Sequence, residues 1–240
     1  MSYQERTYRE WMKAEGFLAQ RVVIGESDLF LLARKDITHE TQEILTGLRN
    51  DIESYIKMDP EFKTTLVPHV PKTDASEIVA KMCIAARKFN VGPMAAVAGA
   101  VAELTGKKLV ERFGDLIIEN GGDIFVRMGR PVVFTLYAGE ESPFSGKINF
   151  RTGKPGESFG ICTSAGTVGH SLSFGKADAV CIIADNAIDA DAAATCFGNQ
   201  VQCKEDVETV IQNAKEHGGV KGIIVTIGDK IGIWGDLEVV

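Results

Sequence analysis

The sequence predicts an α/β protein of the α+β type, with mostly antiparallel, mixed sheets packed against helices. Three observations carry that expectation. Ile44, Leu48, Ile52 and Ile56 recur at helical spacing, the apolar period changes to two after Gly114, and strands and helices do not alternate strictly along the chain.

Taken in order, Phe17 to Gly25 and Leu29 to Arg34 read as two strands joined at Glu26-Ser27-Asp28, a hairpin by length and turn chemistry. Thr38 or His39 opens a helix that ends before Asp59-Pro60, and the prolines 60, 68 and 71 make residues 59–74 an irregular connection. Asp74 is the expected cap of a second helix, whose Ile78, Met82, Ala86 and Phe89 share a face. A third helix, rich in Ala and Gly, follows Gly92-Pro93 and ends near Leu104. Beyond Gly114, strands are expected at 116–119, 124–128, 132–137, 147–150 and 158–162, separated by Gly-rich turns. Residues 178–184 form a buried strand, 189–197 a short helix capped by Asp189, and Val207, Val210, Ile211 and Ala214 mark a surface helix. A hairpin around Gly228-Asp229 closes the chain. One domain over residues 1–240 is expected, built as a single unit or as two closely packed subdomains.

The 26 basic and 33 acidic residues leave a net charge of -7, the wrong sign for a protein that neutralises phosphates along a duplex. Nucleic acid is therefore not an expected partner. No apolar run reaches the roughly 20 residues of a membrane-spanning helix, and the polar start carries no secretory pattern, so the expected location is the cytoplasm. Five cysteines (83, 162, 181, 196 and 203) form no Cys-x-x-Cys pair and read as reduced thiols. Charge is unevenly spread. Residues 1–70 hold 21 charged side chains, whereas residues 158–203 hold five, so burial and close backbone contact concentrate in the second window.

Three segments there and nearby carry candidate chemistry. Asp191 falls in the first turn of its helix, where the macrodipole favours a negative charge, and Thr195 four residues later, so two hard oxygen donors share a face separated by alanines. That pair suits Mg²⁺, which completes its octahedron with water and phosphate oxygens. The run from Thr163 to His170, with Ser164, Gly166 and Thr167, offers hydroxyls, glycines and an imidazole to an anionic group, with His170 able to move a proton. Asn120-Gly121-Gly122-Asp123 is most simply a hairpin turn.

Four segments in order resemble the landmarks of the ApbE-like superfamily: Gly92 to Glu103, Ile118 to Ile124, Cys162 to Gly166 and Ala190 to Thr195. The compact chain and the run from Gly169 to Asp178 resemble its short, uncharacterised cytoplasmic branch, a UPF-type family. ApbE proper is a Mg²⁺-dependent flavin transferase that splits FAD and moves the FMN part onto a Thr of a target protein. The resemblance implies Asp191 and Thr195 as metal ligands, Asn120 to Asp123 beside the nucleotide, Thr163 and Ser164 in the Thr-Ser turn, and His170 as the match to the catalytic His. It implies Mg²⁺ and FAD or FMN as cofactors, with a small phosphorylated ligand. A homo-oligomer or a protein partner is left open beside it. The transferases follow their His with Asp-Pro-Arg-Thr-Gly, whereas residues 171–175 here contain no acid, Pro or Arg. Ala98-Gly99 stands in place of a Lys-Gly, and Glu103 where an Asp is usual. Two alternatives follow: a non-catalytic binding or partner protein of the same fold, and a sulfur-handling protein using Cys162 and Cys196.

Overall fold

A computed structural model describes residues 6–165 and 174–240. The chain enters through a short 3-10 turn, Thr7–Trp11, and a hairpin of β1 (Leu18–Ile24) and β2 (Ser27–Ala33). Ile24 pairs with Ser27, so the turn is Gly25-Glu26 and lies earlier than the expected Glu26-Ser27-Asp28. Gly25, at φ +56°, supplies the left-handed backbone that the tight turn needs. Asp28 falls inside β2, buried, where Arg9 and Arg21 both donate to its carboxylate at 2.8 Å. Burial raises the Asp28 carboxyl, but the bonds from Arg21 and Arg9 outweigh it and hold the group well below the usual carboxylate range.

That depression has a sign. Asp28 contributes stability that is fully present above its unfolded pKa of about 4 and is lost as pH falls below it. Asp28→Asn should cost about 1 to 2 kcal/mol at pH 7. Its melting temperature should also fall less than wild type's on acidification. Parallel pH profiles for the two proteins in scanning calorimetry would show that Asp28 carries no such term.

Helices follow: α1 (Thr38–Met58), the single turn α2 (Glu61–Thr64), α3 (Glu77–Phe89) and α4 (Val97–Phe113), led in by a 3-10 turn at Pro93–Ala96. The cap position of α3 is Ser76 rather than the expected Asp74. α4 runs nine residues past its expected end at Leu104. Gly106 is a weak helix former, yet it lies inside the helix, where the Phe125 ring rests on it and leaves no room for a Cβ.

The remaining elements are β3 (Leu116–Asn120), β4 (Asp123–Arg127), β5 (Val132–Thr135), β6 (Asn149–Thr152), β7 (Ser158–Ser164), β8 (Ala179–Ala184), α5 (Ala187–Gln200), α6 (Asp206–Glu216), β9 (Val220–Ile227), β10 (Lys230–Gly235) and β11 (Leu237–Val239). Among the described residues the main sheet has eight strands in the order β1-β2-β3-β4-β7-β8-β9-β10, each neighbouring pair antiparallel. A three-stranded sheet, β11-β6-β5, takes up the excursion between β4 and β7. β11 was not foreseen. Three residues are too few to show a period, and pairing with the distant β6 defines them.

Each face of the main sheet buries its own apolar set. Leu29, Leu31, Ile118, Phe125, Val180 and Ile182 face the helices, while Leu32, Ile117, Val126, Cys181 and Ile183 face the small sheet. The strand period of two requires this split. β8 is buried at all six positions, which explains its unbroken apolar run.

Candidate functional site at one end of the main sheet

The ends of four strands meet at one edge of the sheet: Asn120 closes β3, Asp123 opens β4, Ser164 closes β7 and Ala179 opens β8. A cleft of about 1860 Å³ lies along this edge. Asn120, Gly121, Gly122, Asp123, Thr163, Asp191 and Thr195 all line it, drawn together from three separate stretches of sequence.

Gly121 and Gly122 form a two-residue hairpin turn with φ of +70° and +101°, as the tight turn between antiparallel strands demands. Its amides are not all free for a ligand. The Gly122 N–H donates to Glu119 Oε1 at 2.8 Å, and the Asn120 side-chain amide donates to the Ala98 carbonyl at 3.2 Å.

α5 begins at Ala187, with Asn186 as its cap, accepting from the Asp189 N–H at 2.8 Å. The expected cap, Asp189, instead lies in the first turn and pairs with Lys88 at 2.7 Å, because Asn186 already occupies the extended capping position. Asp191 is the fifth residue of α5, beyond the first turn. Its partner is a different helix: Asp191 Oδ2 accepts from the Gly99 N–H at 2.8 Å, at the start of α4. The converse contact is made by Glu103 of α4, whose Oε2 accepts from the Ala187 N–H at 2.8 Å. Each helix thus caps the other. Gly99 permits the approach, since a Cβ there would collide with the Ala187 carbonyl and the Asp191 side chain.

Burial pushes the Asp191 carboxyl up to about 7, against the lowering effect of the Gly99 and Ala98 amides. Burial, and then the charge of Asp191, push Asp123 well above the usual range. Two buried carboxyls, one of them raised by the charge of the other, favour a shared proton or a cation beside them. Thr195 adds a hydroxyl one helical turn from Asp191. The donors are hard oxygens on an open cleft, and that chemistry fits Mg²⁺, which needs one or two protein groups. Among the described residues, no group of three or more His, Cys, Asp or Glu side chains is arranged to hold a metal.

Thr163 and Ser164, expected to act together, are separated by strand alternation. Thr163 lines the cleft, whereas Ser164 is buried against Gly198 of α5, its hydroxyl without a hydrogen-bond partner among the described residues. Gly166, Thr167 and His170 lie outside the described residues. Both flanks of their segment, Ala165 and Phe174, line the cleft. Cys162 is fully buried, and its Sγ donates to the Ala187 carbonyl at 3.3 Å. Burial pushes both its thiol and that of Cys196 upward, away from the reactive thiolate.

Several wall residues escaped sequence reasoning. Asn199 continues the face of Asp191 and Thr195, and its Oδ1 accepts from the Phe174 N–H at 2.8 Å. The four-residue spacing could have found it. Arg6, Tyr8 and Tyr137 also line the cleft, with the two tyrosine rings 5.5 Å apart. No local pattern marks them.

The antiparallel sheet, its helix layer and the cleft at the strand ends define an ApbE-like fold. Solved structures agree: the flavin transferase ApbE from Vibrio cholerae matches with a TM-score of 0.56 at 9% identity, over 92% of this chain and 97% of that one. The ApbE protein from Thermotoga maritima gives 0.54 at 11% identity, over 92% and 97%. The family follows from sequence. The family model described as AbpE bacteria matches residues 9–225, and the chain belongs to that family. A UPF0280 protein of Methanocaldococcus jannaschii is 40% identical over 224 residues, 91% of each chain, and one of Methanopyrus kandleri is 39% identical over 224 residues, 90% of each. No helix among the described residues is long and apolar enough to cross a membrane.

Proposed function

We propose that the cleft binds a phosphorylated small ligand, a flavin nucleotide first among the candidates, together with Mg²⁺ held by Asp191 and Thr195. One observation carries the reading: Asp123 and Asp191, distant in sequence, line one cleft with both carboxyls pushed up by burial, and the charge of Asp191 raises Asp123 further, which creates a demand for positive charge. Asn120, the Gly121-Gly122 turn and Thr163 form the adjoining wall. Bound Mg²⁺ would neutralise phosphate charge and polarise a phosphoryl oxygen. The flavin assignment draws on the flavin transferases whose fold this chain shares. His170 is the proposed base for an accepting hydroxyl, as its place in the superfamily pattern suggests.

A second reading, binding without turnover, is favoured by residues 171–175, which lack the acid, Pro and Arg of the transferase loop. Thermal melts with Mg²⁺ and FAD, FMN or ADP test the first reading. A ligand at 100 times its dissociation constant should stabilise the protein by about 2.7 kcal/mol, or roughly 5–10 °C at this size. Folded protein that shows no shift with any of them rules the pocket out. Conversion of FAD to FMN and AMP separates transferase from binding protein.

A further inference from the structure

We propose that Arg6 supplies the cationic contact to the ligand's phosphate, and that the buried Arg9–Glu119 pair is the positioning element that holds Arg6 over the Gly121-Gly122 turn. The proposal rests on the reading of the cleft as a phosphate-ligand site. The five-residue 3-10 turn Thr7–Trp11 is too short to be stable alone, so its placement needs tertiary anchors.

Those anchors are polar. Arg9 is 9% exposed; its Nε donates to Glu119 Oε2 at 2.6 Å, its Nη1 to Asp28 Oδ1 at 2.8 Å and its Nη2 to the Asp28 carbonyl at 2.7 Å. The Tyr8 hydroxyl donates to Glu119 Oε1 at 2.7 Å. Burial and the charge of Glu119 push the Tyr8 phenol far up, so it stays a donor. Glu119 is fully buried, and its Oε1 also accepts the Gly122 N–H. One carboxylate therefore fixes both the glycine turn and the segment that carries Arg6.

Among the described residues, four cations line the cleft: Arg6, Lys13, Arg49 and Lys63. Arg49 is engaged by Glu26 at 2.6 Å and Glu53 at 2.8 Å, while Lys13 and Lys63 are exposed. Arg6 differs in being held at one edge. Its Nη1 donates to the Asp28 carbonyl at 2.8 Å and lies 3.5 Å from Asp28 Oδ2, with the side chain 23% exposed. Its Nη2 would lie 3.3 Å from a Cβ on Gly121, so the other edge of the fork turns toward the glycine turn. The Arg6 charge also acts on Asp123. A guanidinium thus flanks the turn that leads into Asp123, in the cleft that Asp191 also lines. A phosphate between them would meet the fork on one side and a carboxylate-held cation on the other, the geometry for which arginine is suited.

The test is titration calorimetry in Mg²⁺ with two matched pairs, FMN against riboflavin and ADP against adenosine. Wild type should prefer the phosphorylated member. Arg6→Gln should weaken its binding about 10- to 100-fold while leaving the unphosphorylated member unchanged. Arg6→Lys should recover part of the loss. Arg9→Gln should lower the phosphate preference in the wild-type background and do nothing further in Arg6→Gln, since Arg9 acts through Arg6. Unchanged FMN and ADP binding in Arg6→Gln overturns the assignment, as does equal weakening of both members of each pair. Wild type that binds none of the four overturns the cleft reading, and the Arg6 contact with it.

Discussion

Gly160→Ala is expected to lower stability by about 3 kcal/mol, and the melting temperature by roughly 6–12 °C, because α5 rests directly on the backbone of β7. A Cβ at Gly160 would collide with Ala187 Cα and N and with the Asn186 carbonyl carbon. All three are main-chain atoms, so no rotamer change relieves the overlap, and α5 must lift. Gly47→Ala is the matched control. Gly47 is exposed within α1 with nothing in the path of a Cβ, and its replacement should stabilise by up to about 1 kcal/mol. Thermal melts of the two variants decide the matter. If Gly160→Ala melts with wild type, the close seating of α5 on β7 is wrong.

The second large effect concerns Asp191→Asn. An asparagine keeps an oxygen for the Gly99 N–H and removes only the charge, so the fold should survive. Burial holds the Asp191 carboxyl up to about 7, a value raised above the unfolded one. Its ionised form therefore costs stability that is lost progressively as pH climbs from about 4 to about 7. Without added metal at pH 8, the variant should melt at or above wild type. With Mg²⁺ and FMN, the shift of about 2.7 kcal/mol expected of wild type at saturation should fall close to zero. An undiminished Mg²⁺-dependent shift in Asp191→Asn would move the metal away from α5.

Much of the fold was legible in sequence because its signals are local. The Ile44 to Ile56 stripe, the unbroken run of β8 and the Gly121-Gly122 turn each announce an element through neighbouring residues. What was not legible depends on distant partners. The extension of α4 through Thr105-Gly106 makes sense only once Phe125 lies on that glycine, and β11 exists only because β6 is there to pair with it. The candidate site divides in the same way. Asp191 and Thr195 announce themselves by spacing, whereas strand alternation, not composition, turns Ser164 away from Thr163. Residues 158–203 carry a single Lys or Arg side chain, Lys176, yet Arg6 and Lys13 reach the cleft from the other end of the chain.

The exchange of caps between α4 and α5 has a mechanical meaning. A single pin between two rods leaves a pivot, while two pins at separate points fix both sliding and rotation. Glu103 on Ala187 and Asp191 on Gly99 are two such pins. A slip of one residue along either axis, about 1.5 Å, would break both hydrogen bonds together. Asp191 is therefore indexed against the sheet edge before any ligand arrives, and a ligand need not spend binding free energy on setting its position.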